Sequence, residues 1–140
     1  YKPGDIYDAD RDRVLLEYGV LNNTMLDYNR EVASIPDIIK NNPSDVAWSH
    51  TVVNSKSTCA TLIAQMSGEG NRLHYHNDWD EWWHIIQGQW EWYVDGRTLT
   101  VKKGDLVFIE RGKRHKITAI GDEQSIRLAV SREDIDHIYE

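Results

Sequence analysis

Two histidines separated by a single residue, His74 and His76, are followed by Glu81 across the polar run Asn77-Asp78-Trp79-Asp80. No other feature restricts so tightly what this chain can fold into. On a strand the side-chain period is two, so both imidazoles face the same way. A turn through residues 77–80 brings Glu81, on the returning strand, back beside them. Two imidazoles and a carboxylate on one face form an incomplete metal site. The rest must come from elsewhere, and His115, in Gly112-Lys113-Arg114-His115-Lys116, is the best candidate.

From Val46 onward the chain reads as strands. Residues 47–54 and 58–67 are rich in Thr, Val and Ile, with a turn at Asn54-Ser55-Lys56-Ser57 between them. Residues 72–76 form a short strand that carries the first ligands. In residues 81–86, Glu81, Trp83 and Ile85 share one face and Trp82, His84 and Ile86 the other. Residues 89–94 and 97–101 flank Asp95-Gly96, a strong hairpin signal. Residues 106–109, 116–120 and 126–130 complete the set. Short strands punctuated by glycine-containing turns every eight to twelve residues or so indicate an all-β sandwich or barrel. Residues 1–46 lack this pattern. They read as an N-terminal extension with a short helix over 10–19 and a second launched by Ser34-Ile35-Pro36-Asp37 through Lys40. The extension is too short for a core of its own and is expected to pack on the barrel or on a partner. Ser131-Arg132-Glu133-Asp134 resembles the cap of a short C-terminal helix. One strand domain over 47–140 follows.

Gly68, His74, His76, Glu81 and Gly88 meet every fixed position of the first signature of the cupin superfamily, and Gly104, Gly112 and His115 are in register with its second. The chain therefore resembles a small single-domain metal-binding cupin across about half its length. Two positions depart from the second signature: Glu110 stands for the usual proline and Ala119 for the usual asparagine. The resemblance implies a single-domain β-barrel of jelly-roll type with the metal inside near one mouth, held by His74, His76, Glu81 and His115.

Three imidazoles and a carboxylate suit one divalent transition metal ion, with Fe(II) favoured and Mn, Ni, Zn, Cu or Co compatible. Open coordination positions would make the centre catalytic. Family members include dioxygenases, oxidative decarboxylases, isomerases, epimerases and lyases. Fe(II)-type dioxygenase chemistry on a small anionic organic substrate is the first expectation. A metal-dependent isomerase, epimerase or lyase, or a non-catalytic ligand-binding cupin, are the alternatives. Arg72 shares parity with the two histidines and is a candidate to orient an acid group. Trp83 is a candidate pocket wall or core residue, and Tyr93 a candidate proton carrier. Met66, Phe108 and Arg127 are further lining candidates. An Arg on a half-buried strand such as 126–130 either faces water or serves the pocket. Arg111, Lys113, Arg114 and Lys116 around His115 could steer an anion to the mouth. His84, on the face opposite Glu81, is not expected at the ion.

A net charge of −7 argues against nucleic acid or an anionic membrane as partner. No apolar run reaches the length of about 18 residues that a membrane helix needs. The single cysteine, Cys59, rules out an internal disulfide and is expected to be an inert core thiol. A cytoplasmic location is the default expectation. Tryptophan is plentiful, and five of the 6 lie between Trp79 and Trp92. Trp82, Trp90 and Trp92 cannot all fit one small cavity, so some are expected outside, against the extension or the second subunit of a homodimer.

Overall fold

The computed structural model describes residues 21–22, 28–55, 57–77, 79–132 and 138–139. The strands are β1 (Leu21–Asn22), β2 (Trp48–Asn54), β3 (Cys59–Gln65), β4 (His74–Tyr75), β5 (Glu81–Gln87), β6 (Gln89–Val94), β7 (Arg97–Lys102), β8 (Leu106–Ile109), β9 (His115–Ile120), β10 (Ser125–Ser131) and β11 (Ile138–Tyr139). One helix, α1 (Ile35–Lys40), precedes β2. The strands form two sheets, ordered β1-β2-β3-β10-β5-β8 and β11-β4-β9-β6-β7. Apart from the parallel β1–β2 pair, neighbouring strands run antiparallel. The all-β expectation holds, with the strands arranged as two sheets rather than as one continuously paired barrel. The expected helices over 10–19 and after Ser131 fall mainly outside the described residues.

The core lies between the sheets. Trp83 and Ile85 of β5 and Val107 and Ile109 of β8 meet Trp90, Trp92 and Val94 of β6 and Ile117 and Ala119 of β9. The period-two reading of β5 is correct: Trp83 and Ile85 are buried, while Trp82 is exposed. Of Trp82, Trp90 and Trp92, some of which are expected outside, Trp82 is the outward one; Trp90 and Trp92 are both wholly buried, and the register gives the reason. Trp90 stands opposite Ala119 on β9, and that small side chain leaves room for an indole in the close-packed interior.

A second apolar cluster lies on the other face of the larger sheet. Ala47, Trp48, Leu62, Ala64 and Ile126 are covered there by Ile35, Ile38 and Ile39 of α1. The helix begins as the sequence suggests. Ser34 is extended, its Oγ accepts the Asp37 N–H at 3.4 Å, and Pro36 lies in the first turn. The Trp48 indole N–H donates to the Pro43 carbonyl at 2.9 Å, tying the incoming segment to β2. Beyond α1 this face carries exposed Trp82, Leu106 and Phe108. Phe108 is therefore not a lining residue, because it pairs with outward Trp82 across β5–β8.

Gly88 joins β5 to β6 at φ +75, where its missing Cβ would strike the Ser125 side chain. Ser125 Oγ uses that space to accept the Gln89 N–H and to donate to the Gln89 carbonyl. The second glycine of the motif is thus a close-approach position as well as a turn.

Candidate metal centre

His74 lies on β4 directly opposite His115, the first residue of β9. His76 immediately follows β4, and Glu81 opens β5. Four side chains from three strand segments thereby converge. All four residues are buried, and one ligand atom from each lies within 4.8 Å of the others. Glu81 Oε1 is 2.8 Å from His76 Nε2 and 3.9 Å from His115 Nε2. The fourth ligand is the one the sequence placed at His115.

Two of the three imidazoles are placed so that Nε2 faces the cluster. His74 Nδ1 is 2.7 Å from the Arg72 carbonyl and His115 Nδ1 is 3.1 Å from the Lys113 carbonyl. A carbonyl only accepts, so each Nδ1 carries the proton and each Nε2 offers a lone pair. Buried His115 Nε2 and Glu81 Oε1 make no hydrogen bond. Donor atoms crowded this closely, buried, and aimed at one another rather than at hydrogen-bond partners, fit a cation among them.

Burial pushes His74 well below the ordinary imidazole pKa, and the neighbouring His115 adds to the shift. The His115 pKa is also lowered, chiefly by burial, with Glu81 opposing. Both rings are therefore neutral near pH 7, as metal ligation demands. The unfolded chain takes up these protons near pH 6.5 while the folded chain does not. Metal-free protein is accordingly expected to lose stability as pH falls from about 7 to 5 through that window. Melting temperatures across the range check this, and a flat profile would contradict it.

Aromatic rings surround the centre. Trp79, buried, lies against His76 at a ring separation of 4.2 Å. Trp83 meets His115 edge-on at 5.5 Å. Trp83 is thus both core and a wall of the site. Trp79 escaped the sequence reading because it sits in a polar turn. The tryptophan cluster was the available signal.

The other candidates fare differently. Arg72 is exposed. The strand carrying His74 covers two residues only, so parity counted back from the histidines does not turn Arg72 inward. Tyr93 is also exposed, on the outer side of β6 between inward Trp92 and Val94. Arg127 goes the other way: it is buried, and its Nη1 donates to Gln65 Oε1 at 2.7 Å. Met66 is half-buried. His84 is half-buried on the opposite face of β5 from Glu81, as expected. Cys59 is half-buried rather than in the core.

The basic cluster before His115 is largely engaged. Arg111 donates its backbone N–H to Asp80 at 2.9 Å, and its guanidinium lies 3.5 Å from the same carboxylate. That backbone bond, followed by the side-chain bond, lowers the Asp80 pKa. Lys113 sits 3.9 Å from Glu110. Arg114 covers the Tyr75 ring at 4.6 Å. The Gly112 N–H donates to the His76 carbonyl, tying this loop to the ligand strand. These contacts make the loop a support for the ligands.

The class defined here is a two-sheet β-protein with a buried three-His, one-Glu cluster that could hold a metal ion. The profile of the cupin domain matches residues 61–131, half of the chain, which belongs to that family. The chain is similar to oxalate decarboxylase of Bacillus subtilis, at 29% identity over 85 residues covering 57% of this chain and 22% of that one. It thus spans about a fifth of that relative's length. A structure concerned with the Mn(II) centres of the same enzyme matches at TM-score 0.55 and 26% identity, covering 61% of this chain and 24% of that one. Oxalate decarboxylase of Lactobacillus farciminis, in a formate complex, matches at TM-score 0.55 and 28% identity, over 60% of this chain and 27% of that one. A cupin-2 domain protein of Shewanella frigidimarina matches at TM-score 0.59 with 18% identity, over 72% of this chain and 94% of that one. This last match bears on fold alone.

Proposed function

We propose that the chain is a mononuclear metal-dependent enzyme acting on a small anionic organic molecule, with oxygenase chemistry of the Fe(II) type as the first reading. The convergence of His74, His76, Glu81 and His115 within 4.8 Å carries it. A bound divalent ion would supply Lewis acidity there and, if iron, one-electron chemistry with O2. The chain's own part is to hold the ligands and exclude water. The Arg72 and Lys113 carbonyls keep the imidazoles in the ligating tautomer. Trp79 and Trp83 wall the centre. Among the described residues the buried carboxylate is Glu81, already a ligand.

A second reading, Mn(II)-dependent cleavage of a small carboxylate, is supported by the similarity to two oxalate decarboxylases. Anaerobic loading with Fe(II) or Mn(II), followed by O2-uptake and CO2-release assays on a panel of small acids, separates the two. Uptake with iron supports the first reading and CO2 release with manganese the second. Neither, across the panel, would leave a ligand-binding barrel.

A homodimer belongs to the same proposal. Edge strand β8 has no charged or proline guard, and exposed Leu106, Phe108 and neighbouring Trp82 form an apolar edge. Antiparallel pairing of that strand with its copy satisfies two-fold symmetry. Light scattering is expected to give twice the chain mass, reverting to one with Phe108→Asp. A monomeric wild type would sink the dimer.

A further inference from the structure

One loop bears on three of the four metal ligands. Residues 110–114 run from the end of β8 to His115. The Arg111 N–H donates to Asp80 Oδ1 at 2.9 Å, one residue before Glu81. The next N–H, of Gly112, donates to the His76 carbonyl. The Lys113 carbonyl then accepts from His115 Nδ1 at 3.1 Å. Gly112 and Lys113 contribute backbone groups. Asp80 contributes a side chain, which a substitution can remove.

The two N–H groups grip the two ends of one turn. His76 and Glu81 present ligand atoms 2.8 Å apart, although a turn separates them in the chain. Strand pairing fixes the Glu81 end, which stands opposite Ile109 at the end of the β5–β8 ladder. Beyond that pair the Asp80 carboxylate takes over, binding the N–H of Arg111 further along the same segment. The turn also carries Trp79, whose ring lies 4.2 Å from that of His76. A turn left to itself samples many conformations, each with its own separation of the two ligands. Anchoring both ends to consecutive amides of one loop removes that freedom before an ion arrives.

An ordinary surface ion pair is the competing account. The Arg111 guanidinium lies 3.5 Å from Asp80, and both side chains are exposed. Such a pair contributes little in water. The bond from the backbone N–H is the shorter one, and a carboxylate acceptor strengthens it. The two accounts part on which atoms of Arg111 matter: the amide in one, the guanidinium in the other.

We propose that Asp80 is a positioning residue of the metal centre, which locks loop 110–114 to the turn before Glu81 through the Arg111 amide and so sets the spacing of His76, Glu81 and His115. This rests on the metal-dependent reading above and adds the residue that holds the ligands in register. Asp80 stands outside the ligand set, and acts on it through the loop.

Titration of Mn(II) into metal-free protein tests this, with the low-temperature electron paramagnetic resonance spectrum of the loaded sample as a second readout. Asp80→Ala is expected to bind Mn(II) about tenfold more weakly, the low end of what outer-shell partners of metal ligands contribute. Its spectrum is expected to broaden as the ligand geometry spreads. Asp80→Asn keeps an acceptor of the same shape and is expected to restore affinity to within about threefold of wild type. Arg111→Ala keeps the amide and is expected to stay within about twofold. Arg111→Pro removes the same bond from the other side and is expected to match Asp80→Ala, with no further loss when the two are combined. A merely structural role gives a different pattern: a lower melting temperature of the metal-free variant, with Mn(II) affinity and spectrum unchanged in the folded protein. That pattern overturns the proposal. So does an Arg111→Ala protein as impaired as Asp80→Ala, which would make the contact an ion pair. Should Asp80→Ala fail to fold, the contrast between Arg111→Pro and Arg111→Ala decides. A wild type that takes up no Mn(II) refutes the metal centre itself, and the positioning role with it. A wild type that binds, beside an Asp80→Ala protein that binds as tightly, removes Asp80 alone.

Discussion

Replacing His115 with alanine is expected to abolish metal binding while leaving the sheets in place. His115 contributes a buried Nε2 to the ligand set, and its Nδ1 is fixed by the Lys113 carbonyl at 3.1 Å. Losing only such an outer-shell contact typically weakens metal affinity about 10–100-fold. Losing the ligand itself should cost more than a hundredfold. Elemental analysis after anaerobic loading should give about one Mn or Fe per wild-type chain and little in the variant. The melting temperature offers an independent readout. A ligand present at about 100 times its dissociation constant stabilises the folded state by roughly 2.7 kcal/mol. Wild type should therefore melt higher with Mn(II), and the His115→Ala protein should not respond. Full metal content in the variant would remove His115 from the ligand set and leave the other three residues as an incomplete site.

The second large effect belongs to Trp83. Its indole is buried between the sheets, against Trp92 at 5.2 Å and His115 at 5.5 Å. Truncating such a side chain to alanine costs about 3–5 kcal/mol, from lost burial and from the cavity left behind. That is a large share of the roughly 5–15 kcal/mol that holds a typical domain together. Trp83→Ala is expected to lower the melting temperature by more than about 10 °C and, by loosening the ring against His115, to weaken metal binding as well. Trp83→Phe should retain most of both. A Trp83→Ala protein that melts like wild type but binds substrate poorly would make Trp83 a substrate wall and not a core residue.

The His74, His76 and Glu81 part of the cluster was legible because it depends on short-range geometry. The single residue between His74 and His76 and the turn before Glu81 are local constraints, and strand alternation converts them into a shared face. The N-terminus of α1 was equally legible, since Ser34 and Pro36 act on backbone groups within one turn. Arg72 and Tyr93 mark where that reasoning stops. Parity counting presumes a continuous strand, and β4 ends before it reaches Arg72. Alternation along β6 states that Trp90 and Trp92 share a face opposite Tyr93. It does not state which face is inside.

What the sequence determined by itself is the shared face of His74 and His76 and the all-β character of the chain, because both follow from spacing along single strands. The tertiary structure alone decided what lies between the two sheets. Arg127 is buried because β10 lies between β3 and β5, with Ile63 on one side and Ile85 on the other. Trp90 is buried because β6 lies against β9 with Ala119 opposite. Each depends on strand partners distant in sequence, and the volume available to a side chain is set by those partners rather than by its neighbours along the chain.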